Sequence, residues 1–135
     1  MRKPARDTKE PLQILIVDDE LSIAEMLAEF VMELGYRPLL AYNGQQALAL
    51  AREHWPALVM TDLMMPLLSG VGLIRALRAE AEISKRPFPP VVLLSAVHGP
   101  TLANADADAI VPKPFDLEHL EKVVRELLGD ARMGV

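Results

Sequence analysis

Five polar residues stand directly behind apolar runs in this chain of 135 residues. Asp18 and Asp19 follow Leu12 to Val17, Asp62 follows Ala57 to Thr61, Ser95 follows Val91 to Leu94, and Lys113 comes just after Asp108 to Val111. Singly, each has an ordinary reading as a helix cap, a turn residue, a loop serine or a solvated lysine. Together they describe a chemistry. Two carboxylates about 4 Å apart repel by on the order of 4 kcal/mol at an effective dielectric near 20, so three acids in one place need a counter-charge. A hard divalent cation with oxygen ligands supplies it, and Mg2+ typically sits on one or two carboxylates together with water and phosphate oxygens. Phosphoryl transfer asks a protein for a carboxylate nucleophile, a metal beside it, and a cation and a hydroxyl for the remaining phosphoryl oxygens. The five residues meet that list.

The elements that would position them alternate short β-type runs with helical patterns, the signature of a parallel α/β sheet. Leu12 to Val17 is apolar apart from Gln13, as a central strand covered on both faces should be. Ile23, Met26, Leu27, Phe30, Val31 and Leu34 follow at helical spacing, and Gly35 suits a left-handed helix end. Arg37 to Ala41 is a second strand. Asn43 with Gln46 three residues later predicts an N-cap for a helix running to about His54, closed by Trp55-Pro56. Ala57 to Thr61 is the third strand. Pro66 and Ser69-Gly70 break the chain before a helix carrying Ile74, Leu77 and Ala81. Pro87, Pro89 and Pro90 lead into the fourth strand, Val91 to Leu94, and Asp108 to Val111 is the fifth. Asp116 caps a last helix with Leu117, Leu120, Val124, Leu127 and Leu128 on its apolar face. Five strands and five candidate helices result. In a doubly wound sheet of order 2-1-3-4-5, the switch point lies between strands one and three, at the carboxyl edge where ligands bind, and the three aspartates face one another there.

With its motifs ILIVDDE, LVMTDLMMPLLSG, VVLLSA and VPKPF, the sequence resembles the receiver domain of bacterial two-component response regulators over roughly residues 12 to 129. The resemblance implies a flavodoxin-like receiver fold and a phospho-acceptor role for Asp62. It implies Mg2+ bound by Asp18, Asp19, Asp62 and the main-chain carbonyl of Met64, Lys113 paired with Asp62 and then with the phosphoryl group, Ser95 on a phosphoryl oxygen, and the Ala96 amide assisting. It also implies a cis Lys113-Pro114 bond and a histidine kinase or histidine phosphotransfer protein as donor, with an unknown downstream protein as target. Such a domain is no enzyme in the ordinary sense, since it catalyses only its own phosphorylation and dephosphorylation.

Two departures from that family stand out. The aromatic residue expected on the fifth strand is replaced by Ile110, which cannot swing a polar ring between solvent and core. Only 17 residues separate Ser95 from Lys113, so the fourth helix is expected to be short or irregular and the face built on it reduced. Met64 and Val97 offer no polar group to orient an attacking water, which predicts slow self-dephosphorylation.

Composition limits the alternatives. Hydrophobic residues make up 51% of the chain, enough for one core, and there is no cysteine. Neither a signal peptide nor an apolar run of the roughly 20 residues needed to span a bilayer is present, so a cytoplasmic protein without membrane contact is expected. Arg2, Lys3, Arg6 and Lys9 precede an acidic remainder in which 10 basic residues face 17 acidic ones beyond Glu10, a poor match to DNA phosphates. Residues 1–11 are expected to be a disordered extension, 12–129 the receiver and 130–135 a tail. A single-domain regulator acting through a partner is the reading; a phosphorylation-independent pseudo-receiver, a small phosphatase of the haloacid dehalogenase type and a flavin-binding protein are the rivals. The phosphatase would want D-x-D where the chain has Asp18-Asp19-Glu20, and the flavin protein a Ser-, Thr- and Gly-rich phosphate loop.

Overall fold

Three central strands are apolar enough to be buried on both faces, and with two partly exposed edge strands they form one parallel sheet of five. In the computed structural model, which describes residues 10–65, 68–96 and 107–129, these are β1 (Gln13–Val17), β2 (Arg37–Ala41), β3 (Leu58–Asp62), β4 (Val91–Ser95) and β5 (Ala109–Pro112), in the order β2-β1-β3-β4-β5. Among the described residues there are four helices: α1 (Leu21–Glu33), α2 (Gly44–Glu53), α3 (Gly70–Ser84) and α4 (Leu117–Leu128). The predicted short fourth helix, and with it any reduced face, falls on residues 97–106, outside those described, as do Val97 and most of the two predicted terminal segments.

Alternation along the strands divides the core in two. Ile14, Ile16, Leu58, Met60, Val92, Leu94 and Val111 point to one face, where Leu27 and Val31 of α1 and Leu120 and Val124 of α4 close over them. Leu15, Val17, Val59, Val91 and Leu93 point to the other, against Ala47 and Ala51 of α2 and Leu73, Ile74 and Leu77 of α3. Full burial of such a side chain contributes about 1.5–3 kcal/mol, so the sheet is held by both layers rather than by strand propensity.

The helix ends follow local rules. The Asn43 side chain accepts from the Gln46 amide at 2.8 Å while the Gln46 side chain accepts from the Tyr42 amide, also at 2.8 Å. Ser69 caps α3 through the Gly72 amide, and Asp116 caps α4 through the amides of Glu118 and His119. Gly35 and Gly129 take positive φ at helix ends, where a Cβ would be strained, and Lys85 does the same after α3 with a side chain attached.

Strand limits differ from the expected ones by a residue, with physical reasons. β5 runs from Ala109 rather than Asp108, because the Asp108 carboxylate turns back to accept the Val91 amide at 2.8 Å. β5 then extends to Pro112, which an edge strand tolerates because the missing N–H faces away from the ladder. β3 includes Asp62, whose successor still donates to the Leu94 carbonyl at 3.0 Å.

Candidate functional site: an acidic pocket at the carboxyl edge of the sheet

Register, more than proximity in sequence, assembles the pocket. Val17 pairs with Thr61, so the next residues, Asp18 and Asp62, leave the sheet side by side. Asp62 pairs with Leu94 and Ser95 with Pro112, which sets Ser95 and then Lys113 one step further out on successive strands. Main-chain bonds fix these exits: Asp18 donates to Ala41 at 3.2 Å and Lys113 to Ser95 at 2.9 Å.

The carboxylates of Asp18, Asp19 and Asp62 each offer an oxygen, and these oxygens all lie within 4.8 Å of one another. Asp18 is fully buried, Asp62 is 8% exposed and Asp19 faces solvent. The Lys113 ammonium bridges the two buried acids, at 3.2 Å from Asp62 Oδ1 and 3.4 Å from Asp18 Oδ2. The other Asp18 oxygen accepts the Glu20 amide at 2.9 Å, so Asp18 holds the start of α1 and faces the pocket at once. Burial drives the Asp62 pKa above its ordinary value; Asp18 reinforces the rise, and the Lys113 attraction opposes it without cancelling it. For Lys113 burial works the other way, toward a lower pKa, but the two acids together outweigh it and hold the ammonium above its ordinary value. Burial, more than repulsion between the acids, is thus what disfavours the charged form of Asp62.

Ser95 is buried at the end of β4, while Ala96 and Met64 are exposed beside the pocket. The bond between Lys113 and Pro114 is cis, as expected. Ile110, aliphatic where an aromatic was expected, is 38% exposed on β5. Two residues that the sequence did not single out also serve the pocket. The buried Thr61 hydroxyl donates to the Asp62 carbonyl at 3.0 Å, and the Gly70 amide donates to the Leu63 carbonyl at 2.9 Å. Both act through main chain, which leaves no residue-type signal beyond a hydroxyl and a glycine.

A parallel sheet of order 2-1-3-4-5 with helices on both faces, and with three aspartates and a lysine at its switch point, defines a doubly wound, flavodoxin-like protein. The sequence matches the response regulator receiver domain over residues 14–125, and the chain belongs to that family of two-component signalling proteins. It is 37% identical over 123 residues to a probable transcriptional regulator, ycf27, of Porphyra purpurea, covering 88% of this chain and 48% of that protein. The chain thus spans about half the length of the curated relatives it matches. Its fold superposes on the chemotaxis protein CheY4 of Vibrio cholerae with a TM-score of 0.78 at 26% identity, covering 87% of this chain and 98% of that one. The receiver domain of Ssk1 from Saccharomyces cerevisiae, solved together with the histidine phosphotransfer protein Ypd1, gives a TM-score of 0.77 at 26% identity over 87% of this chain and 89% of that one. Membership in this family sets aside the dehalogenase and flavin readings. Among the described residues no helix is long and apolar enough to cross a membrane.

Proposed function

We propose that residues 12–129 form a phosphorylation switch in which Asp62 accepts a phosphoryl group beside a magnesium ion held by Asp18, Asp19, Asp62 and the Met64 carbonyl. The carrying observation is the convergence of three acids on one ammonium: oxygens of Asp18, Asp19 and Asp62 lie within 4.8 Å of one another, with Lys113 at 3.2 Å from Asp62 and 3.4 Å from Asp18. An oxygen-only donor set with hard carboxylates fits a small hard dication. When bound, magnesium would neutralise the acids and the charge of an incoming phosphoryl group.

The chain's own residues do the rest. Asp62 attacks phosphorus through a carboxylate oxygen, forming the O–P bond of an acyl phosphate as the bond to the donor's nitrogen breaks. Lys113 pairs with the new phosphoryl oxygens, and Ser95 with the Ala96 amide takes another. The added charge of roughly −1.5 to −2 gives these partners something to close on, and only such differential contacts bias a two-state loop. Leu21, Met64 and Leu117 are exposed apolar side chains within four residues of Asp19, Asp62 and Lys113 in the chain, apolar surface that a protein phosphodonor would cover. A histidine kinase or a histidine phosphotransfer protein, as Ypd1 is for the Ssk1 receiver, is the donor this reading supplies, and output passes through a downstream protein. The acidic balance beyond Glu10 argues against DNA contact by these residues themselves.

Incubation with Mg2+ and acetyl phosphate, followed by intact-mass measurement, tests the reading. A single phosphoryl adduct on the native protein that is absent from Asp62→Asn supports it; no adduct under any donor would leave a pseudo-receiver. With no polar group on Met64 to orient water, the adduct should persist for many minutes, and decay within seconds in a radiolabel chase would contradict that expectation.

A further inference from the structure

The loop after Asp62 returns to the sheet at Gly70, the first residue of α3, and there the two main chains nearly touch. A Cβ on Gly70 would overlap the Asp62 carbonyl oxygen, and would also lie 3.0 Å from Leu63 Cα and 3.0 Å from Leu93 Cδ1. The obstacle is backbone, which cannot swing aside as a side chain does. Gly70 does not take positive φ, so its conformation would suit alanine. What the position requires is space.

The peptide that Gly70 faces is held at both its carbonyl and its amide, and the next peptide is held at its carbonyl. The Thr61 hydroxyl holds the Asp62 carbonyl at 3.0 Å, the Leu63 amide is held by Leu94 at 3.0 Å, and the Gly70 amide holds the Leu63 carbonyl at 2.9 Å. A displaced Asp62–Leu63 peptide carries the Asp62 carboxylate with it, out of line with Asp18, Asp19 and Lys113. From this contact we infer that Gly70 is a positioning residue for the acceptor: its missing side chain sets where the Asp62 carboxylate meets the metal and the phosphoryl group. The inference rests on the proposed role of Asp62.

Gly72, two residues further along α3, is the internal control. A Cβ there meets only side chains, the nearest being Leu68 Cδ1 at 2.8 Å, the far end of a flexible residue. The test compares full-length native protein, Gly70→Ala, Gly72→Ala and Thr61→Val by Mg2+ titration in a calorimeter, by acetyl phosphate labelling, and by urea unfolding in EDTA and in Mg2+. Gly70→Ala should weaken Mg2+ binding and slow labelling by about 10- to 100-fold, the range seen when groups that orient metal ligands are lost. Its loss of urea midpoint should be larger in Mg2+ than in EDTA, which a position that matters only for packing would not show. Gly72→Ala should stay within about twofold in both functions, since helix interiors favour alanine over glycine. If Gly70→Ala does not fold, Thr61→Val, isosteric and lacking only the clamp, should still weaken Mg2+ binding by about threefold or more. Native-like Mg2+ binding and labelling in Gly70→Ala, an equal midpoint loss with and without Mg2+, or an unaffected Thr61→Val beside an unfolded Gly70→Ala overturns the inference. A native protein that neither binds Mg2+ nor takes a phosphoryl group overturns the reading of Asp62 and this inference with it.

Discussion

Replacing Asp62 by asparagine should make the metal-free protein more stable, although it deletes an ion pair. At the 4.8 Å limit of the cluster, Asp18 repels Asp62 by about 3.5 kcal/mol at an effective dielectric of 20. Asp19 is exposed, and water reduces its share to about 1 kcal/mol or less. Lys113, at 3.2 Å, returns about 5 kcal/mol of attraction on the same scale. Attraction and repulsion nearly cancel, and what remains is desolvation of a carboxylate that is 8% exposed, partly relieved by its main-chain and lysine hydrogen bonds. The ionised form is thus disfavoured, the same direction as the raised pKa. Asparagine keeps the shape, leaves Lys113 its 3.4 Å contact with Asp18, and removes the cost.

The sign with pH follows from linkage. A carboxyl whose folded-state pKa lies above its ordinary 3.8 contributes stability below that value and loses it as pH rises through the raised pKa. Asp62→Asn should therefore match the native protein near pH 3.5, gain on it as pH rises, and hold a constant lead once the pH is well above the raised pKa. Magnesium should reverse the order, because a ligand at a hundredfold excess over its dissociation constant stabilises the native protein by about 2.7 kcal/mol and the mutant by less. Urea unfolding in EDTA and in Mg2+ across this pH range provides the check. A mutant less stable than the native protein at pH 7 in EDTA, or a lead that grows as pH falls, would refute the reasoning.

Lys113→Ala should cost the metal-free protein about 3–5 kcal/mol at pH 7, because two buried acids lose their counter-charge, and Mg2+ should restore more stability to it than to the native protein; equal Mg2+ effects in a thermal melt would count against this. The same lysine, with its pKa raised, contributes stability present below 10.5 and lost as pH climbs through the raised value, so the native protein should lose its margin over Lys113→Ala in strongly alkaline urea titrations. Lys85→Gly should stabilise by about 0.5–1 kcal/mol, since Lys85 closes α3 at φ 59° in a conformation that glycine adopts without strain; a lower urea midpoint would contradict it. Trp55 precedes β3 while the acids follow it, a separation of roughly 17 Å along the strand, and its indole donates to the Pro87 carbonyl. Tryptophan emission should therefore stay within about 5% on Mg2+ binding, at a distance beyond direct contact quenching, and a large quench would mean the pocket is coupled to the opposite edge of the sheet.

What could be read in the sequence was whatever depends on side-chain type at the end of an apolar run. Asp18, Asp62, Ser95 and Lys113 each interrupt such a run, and the parallel order follows from strands that are apolar on both faces, so pocket and topology were legible together. Asn43, Ser69 and Asp116 cap as their residue types suggest, because capping is decided within three residues. Strand limits were less legible, since a bond such as that from the Val91 amide to the Asp108 carboxylate joins residues 17 apart. Thr61 and Gly70 stayed hidden for a different reason: they act on the carbonyl of Asp62, and nothing in their types says which peptide they will meet. The balance of charge was the least legible of all. Sequence counts three acids and one base, yet whether Lys113 offsets the burial of Asp62 depends on distances set by the register of four strands, and burial prevails, leaving an acid with a raised pKa beside its own cation.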